Sequence, residues 1–153
     1  MRVYRLVKER FADTALDGSG AKIYGGRWNR KGHAAVYASD SIALAALELL
    51  VHLHRSEVLN RYRLVTLDLP DDQVLLLDDT GLPADRREDP APDSTAAIGT
   101  AWLTGGQSLA LSVPSVLIPQ QRNLLLNPAH GAAGTVFATA TLQPFDLDPR
   151  LVV

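Results

Sequence analysis

Glu48 stands inside the run Ile42 to Leu53, where the one other polar residue is His52. A carboxylate in such surroundings can accept hydrogen bonds from sugar hydroxyls, or place negative charge beside a developing cation. Equally, it can lie on the solvent face of an amphipathic helix. Arg27 follows Gly25-Gly26 and precedes Trp28-Asn29. A guanidinium after two glycines suits a phosphate or carboxylate, which its planar fork grips at two points, or it decorates an exposed turn. Trp28 and Tyr37 offer rings that stack on a flat ligand or fill a core. Ser115, between Pro114 and Val116, brings a hydroxyl to a ligand or to a local backbone bond. His130, after Asn127-Pro128, offers a base in a loop. Two other pairings stay open. A structural Arg27–Glu48 ion pair would fit a non-catalytic nucleotide- or protein-binding module. A Ser115–His130 pair would fit a hydrolase, although Ser115 lacks the Gly-x-Ser-x-Gly setting of a nucleophile elbow.

Several chemistries are excluded or disfavoured. No Gly-Lys-Ser/Thr follows the glycines and no Gly-x-Gly-x-x-Gly is present, so neither common phosphate-loop motif applies. Without cysteine there is no disulfide, thiolate zinc site or cysteine nucleophile. His52 and His54 fall about 200° apart on a helix and cannot chelate together, so no metal site is expected.

These residues need elements to hold them. Val3 to Val7 reads as a strand, Asp17 to Gly20 as a turn, and Ala34 to Ala38 as a short apolar strand ending near Tyr37. Ser39 or Asp40 can cap a helix running to about His54. On it Ser41, Glu48, His52 and Arg55 form a narrow polar stripe edged by Leu44 and Val51. Arg63 to Leu69 alternates as a strand, and Val74 to Leu77 is another. Leu82 to Asp93 is a Pro- and charge-rich surface loop. Ser94 can cap a helix to Leu103, stopped by Gly105-Gly106. Leu109 to Val113, Val116 to Ile118 and Thr135 to Leu142 read as strands. Short strands outnumber helices without regular alternation, which predicts an α+β fold.

At 153 residues with 46% hydrophobic and 21% charged residues, the chain fits one globular domain spanning 1–153. A net charge of -2 argues against direct nucleic-acid binding, which leaves a basic excess. Met1 to Arg10 has no apolar region behind its charges, and the longest apolar run is far short of the roughly 20 residues that cross a bilayer. A cytoplasmic protein that does not engage a membrane is the expectation.

The pieces occur in a telling order: Gly20-Ala21-Lys22-Ile23-Tyr24-Gly25-Gly26-Arg27-Trp28-Asn29, then Val36-Tyr37-Ala38-Ser39. Ala45-Ala46-Leu47-Glu48-Leu49-Leu50-Val51-His52, Val113-Pro114-Ser115, Asn123 to His130 and Asp148-Pro149-Arg150-Leu151 follow. This order resembles the RES-domain family, the toxins of bacterial RES–Xre toxin–antitoxin pairs, over nearly the whole chain. The Arg, Glu and Ser that name the family fall on Arg27, Glu48 and Ser115. The resemblance implies an ADP-ribosyltransferase-like core of two small packed β-sheets with flanking helices. It also implies an enzyme for which NAD is a consumed substrate and not a recycled cofactor. Members degrade NAD by hydrolysis or phosphorolysis, or transfer ADP-ribose to a protein. A cognate Xre-type helix-turn-helix antitoxin is the implied partner, in a hetero-oligomer; a homodimer is the other assembly the family implies.

On that footing Arg27 binds the pyrophosphate, and Tyr37 lies near the nicotinamide or its ribose. Glu48 holds a ribose hydroxyl and faces the oxocarbenium. Ser115 bonds the ribose or the nicotinamide amide, and Asn127 positions a loop or the ligand. Lys22 stands where the family often has Arg; it keeps the charge without the two-pronged geometry.

Overall fold

The structure, a computed structural model, describes residues 1–58 and 60–151. Seven strands run through it: β1 (Arg2–Lys8), β2 (Val36–Ser39), β3 (Tyr62–Asp68), β4 (Val74–Leu76), β5 (Ala110–Pro114), β6 (Arg122–Leu126) and β7 (Thr141–Phe145). Among the described residues four α-helices accompany them: α1 (Ser19–Tyr24), α2 (Ile42–Leu50), α3 (Asp93–Gly105) and α4 (Ala133–Phe137). The strands form one mixed sheet in the order β4-β5-β6-β2-β1-β3-β7. Among the described residues only β4 and β5 run parallel.

The α+β class is as expected. The two small sheets are here two halves of one sheet. Strand β1 meets β2 through a single registered pair, Tyr4 with Ser39, whereas β1 pairs with β3 along its whole length. The short β2 has its other edge paired residue for residue with β6, Val36 to Leu126 through Ser39 to Asn123. This narrow seam explains how one sheet can look like two.

Central strands buried on both faces need continuous apolar sequence. Leu109 to Leu111 and Leu124 to Leu126 supply it, and all six are at most 1% exposed. Alternate side chains go to opposite faces. Val36, Ala38, Leu124 and Leu126 join one cluster with Ala133 and, around it, Val136 and Phe137 of α4. Leu111, Val113 and Leu125 join another with Trp28, Trp102 and Leu103. Burying one such leucine contributes roughly 1.5–3 kcal/mol.

Local chemistry overrides several expectations. The cap of α2 is Ser41, whose hydroxyl accepts the Leu44 amide, not Ser39 or Asp40. Ser39 is still strand, and Asp40 lies between the two elements. The helix ends at Leu50 and not near His54, because His54 caps a new turn, its own amide donating to Glu57. Ser94 does not cap α3: the helix begins at Asp93 after Pro92, and the Ser94 hydroxyl donates to Asp85 at 2.6 Å. Val116 to Ile118 is a tight bend instead of a strand. Thr135 to Leu142 divides into α4 and the start of β7, since the alternation of small residues there fits either period. Strand β6 carries no alternation and went unexpected.

Candidate active site

Glu48 sits on α2 directly after a residue that faces solvent, yet its carboxylate turns inward. Half-buried, it accepts two hydrogen bonds on one oxygen. The Ser115 hydroxyl donates to Oε1 at 2.8 Å, and Asn123 Nδ2 donates to the same oxygen at 2.6 Å. The outward face of α2 is apolar instead, with Ile42, Leu47 and Val51 exposed. Glu48 therefore does not lie on the solvent face, whereas His52 and Arg55, expected on the same stripe, are exposed and lie beyond the end of α2. Helix packing against β1 and β2 rotates Leu44 and Ala45 into the core and carries Glu48 toward the end of β5.

Ser115 is placed by the turn that follows β5. Its oxygen accepts the amides of Leu117 and Ile118, both at 3.1 Å. With both lone pairs engaged, its proton points at Glu48. The residue is 3% exposed. Its hydroxyl therefore bonds the local backbone, as one reading of the sequence expected, and the Glu48 carboxylate at once.

Arg27 is organised from three directions. Gly25 has φ +72, a conformation that favours glycine. At Gly26 a Cβ would lie 2.5 Å from the Tyr37 hydroxyl. That hydroxyl donates to Asn29 Oδ1 at 2.6 Å and accepts the Trp28 amide at 3.0 Å. Asn29, 1% exposed, completes the loop by donating to the carbonyls of Ala21 and His33. The two glycines thus serve different ends, a backbone twist and a close approach. Tyr37 holds the arginine loop through its hydroxyl, and its ring is half-buried. Burial raises the phenol pKa, against the lowering effect of the Trp28 amide and the Arg27 charge. Arg5, whose own pKa is lowered by burial, steadies the strand by donating to the Tyr37 carbonyl at 2.8 Å.

Helix α3 grips the same loop. Thr95 donates to the Arg27 carbonyl at 2.7 Å, Thr100 accepts the Arg30 amide at 2.9 Å, and Arg30 pairs with Asp93. A Cβ at Gly99 would fall 1.8 Å from the Trp28 carbonyl oxygen. Reading the sequence missed this grip. The available signal was Gly99 itself, since a glycine within a helix costs up to about 1 kcal/mol relative to alanine and marks a close approach.

The Arg27 side chain reaches the Leu82–Asp93 loop. Nη1 donates to the carbonyls of Arg86 and Glu88 at 2.8 and 2.9 Å, which leaves Nε and Nη2 available to an anion. A cleft beside this strap is lined by Trp28, Leu82, Arg86, Arg87, Pro114 and Ser115. Ser115 therefore belongs both to the cleft and to the Glu48 cluster.

Among the described residues Arg27 and Glu48 form no ion pair, which removes the structural pairing. Ser115 and His130 do not meet by hydrogen bond either; His130 Nδ1 accepts the Ala132 amide and shapes the turn before α4. Asn127, 2% exposed, braces that turn. It donates to the Leu103 carbonyl and accepts the Ala129 amide, so its contacts lie with the loop. Lys22 is exposed on α1.

The RES domain family matches residues 2–148 of the chain. The chain belongs to the RES-domain family. It is 44% identical over 151 residues to the Toxin Res of Yersinia enterocolitica, covering 99% of each chain. It is 40% identical over 141 residues to a Prs ADP-ribosylating toxin of a Sphingobium species, covering 90% of this chain and 86% of that one. The crystal structure of the Mycobacterium tuberculosis MbcT–MbcA toxin–antitoxin complex contains a chain with TM-score 0.75 and 25% identity; the match covers 99% of this RES domain and 86% of that chain. The fold is thus that of an ADP-ribosyltransferase-like toxin. Of the three residues on which the resemblance places the family's naming Arg, Glu and Ser, Arg27 reaches the strap through its side chain, Glu48 lies on α2 and Ser115 follows β5. The last two touch.

Proposed function

We propose that this RES domain is the toxin of a toxin–antitoxin pair and consumes NAD by breaking the nicotinamide–ribose bond. The observation that carries the reading is the Ser115–Glu48 hydrogen bond, a polar pair at the margin of a cleft that Arg86 and Arg87 also line. Nicotinamide is bound as a pyridinium. When its bond to ribose C1′ breaks, the electron pair stays with the ring nitrogen and the group leaves neutral, so no acid is needed. Positive charge then builds on the ribose, as in glycoside hydrolysis. Glu48 supplies the opposing charge and accepts a ribose hydroxyl. Fixed electrostatics of this kind contribute most to many rate enhancements.

In this reading Arg27 holds the pyrophosphate with Nε and Nη2, and Tyr37 sets the loop and brings a ring edge toward the nicotinamide ribose. Ser115 orients Glu48, and to bond the ribose or the amide it gives up its bond to Glu48 or to one of the turn amides. Asn127 and Lys22 take supporting parts, the first through its loop and the second at the phosphate margin. NAD is substrate, with no recycled cofactor. Water, inorganic phosphate or a protein side chain then bonds to C1′; water or a side chain loses its proton in doing so. The relative named as ADP-ribosylating favours including a protein acceptor. The toxin–antitoxin complex among the structural neighbours favours an antitoxin partner, of the Xre type on family grounds, and hence a cytoplasmic site of action.

The test is nicotinamide release from NAD by the purified chain freed of antitoxin, with Glu48→Gln alongside, and with and without phosphate and candidate proteins. Release by the wild type, with only a small residual rate in Glu48→Gln, is expected. Equal release by both forms removes Glu48 from the chemistry; release by neither removes the reading.

A further inference from the structure

The seam of the sheet lines up side chains that the function above does not use. Tyr4 of β1 pairs with Ser39 of β2, Ser39 with Asn123 of β6, and Asn123 with Val113 of β5. Directly opposed residues of neighbouring strands share a face, so this row runs across four strands, of which β1 and β2 carry α2. Within it Ser39, 3% exposed, donates its hydroxyl to Asn123 Oδ1 at 2.7 Å. Asn123 Nδ2 then donates to Glu48 Oε1 at 2.6 Å.

The direction of this chain of bonds is fixed by chemistry. An ionised carboxylate only accepts, so the amide must present nitrogen to Glu48. Its oxygen is then turned to Ser39, and Ser39 must donate. Ser115 approaches the same Oε1 with its only proton. Two donors from different strands converge on one oxygen, and Oε2 accepts no hydrogen bond from the described residues.

We infer that Asn123, oriented by Ser39, is a positioning residue for Glu48: it pins Oε1 so that Oε2 alone faces substrate. This deepens the NAD-cleaving reading and rests on it for the kinetic effect, though not for the geometry. A carboxylate held at one oxygen presents the other in a single direction. A misplacement of about 1 Å can lower a rate 100-fold. Ser115 by itself leaves the carboxyl free to swing about one contact.

The experiment compares Asn123→Ala and Ser39→Ala with wild type, alone and combined with Glu48→Gln, following nicotinamide release. Asn123→Ala should lower kcat by about 10- to 100-fold, with KM for NAD held within about threefold. Ser39→Ala should move the same way by less, and serves if Asn123→Ala does not fold. Combined with Glu48→Gln, neither should lower the residual rate further. A merely structural asparagine would lower both backgrounds alike, and that outcome, or an unchanged kcat, overturns the inference. A crystal structure of Asn123→Ala decides the geometry even if wild type releases no nicotinamide. Glu48 leaving its single orientation supports positioning, and Glu48 unmoved on Ser115 refutes it.

Discussion

Ser115 donates to Glu48 Oε1 at 2.8 Å across 67 residues of chain, while its own oxygen is filled by the amides of Leu117 and Ile118. Ser115→Ala therefore removes three hydrogen bonds and leaves two amides of the turn unsatisfied. An unmet buried donor costs about 1–3 kcal/mol. The variant should melt at a lower temperature and release nicotinamide more slowly. Glu48→Gln keeps an acceptor at Oε1 and should melt close to wild type while losing turnover by about 100-fold or more. Calorimetry beside the release assay separates the two; a Ser115→Ala protein as stable as wild type would contradict the double use of its oxygen.

Arg27 anchors the strap with Nη1, and its Nε and Nη2 donate to no group among the described residues. Arg27→Lys keeps charge but has no planar fork, so it cannot hold the carbonyls of Arg86 and Glu88 and an anion together. Faster proteolytic cutting between residues 83 and 92 is expected, with KM for NAD raised about tenfold or more. An uncut strap with an unchanged KM would remove both roles.

Gly99→Ala should destabilise the chain although alanine is the better helix former by up to about 1 kcal/mol. The added carbon would meet the Trp28 carbonyl oxygen at 1.8 Å, and backbone must shift to admit it. Overpacking of this kind costs about 1–3 kcal/mol. Urea unfolding should report the loss, and KM should rise with it because the displaced loop carries Arg27.

Tyr37 keeps its proton to higher pH in the folded chain than in the unfolded one, because burial raises its pKa. An unfolded tyrosine titrates near pH 10. The stability this phenol contributes is complete below that value and is lost as pH rises above it. Tyr37→Phe should be less stable at pH 7, having lost its bonds to Asn29 and Trp28, and should then lose less between about pH 10 and 11 than wild type does. Melting curves across that interval check it; parallel alkaline losses in both proteins would contradict the assignment.

The composition and the order of motifs carried much of this. A strand at the start, an Ala/Leu helix bearing Glu48, a polar loop from Leu82 and a glycine stop at Gly105-Gly106 all follow from local preference, and all are present. The α+β class followed from the spacing of short strands. Boundaries failed where a side-chain oxygen captured a particular backbone amide, as Ser41 does with Leu44, Glu57 with His54, and Ser115 with Leu117 and Ile118. Strand β6 stayed hidden because a segment buried on both faces has no alternation to read.

By itself, then, the sequence determined which reactive groups exist and which local elements bear them. It left Glu48 facing either water or a cleft, since the helical period names a face without naming its neighbour. Only the tertiary structure decided that. The bonds that matter join residues 67, 75 and 84 apart; the one between Ser39 and Asn123 depends on the register of β2 against β6, and the two to Glu48 on the rotation of α2. Such register is set by burial of the whole apolar pattern at once, and no local stretch of residues contains it.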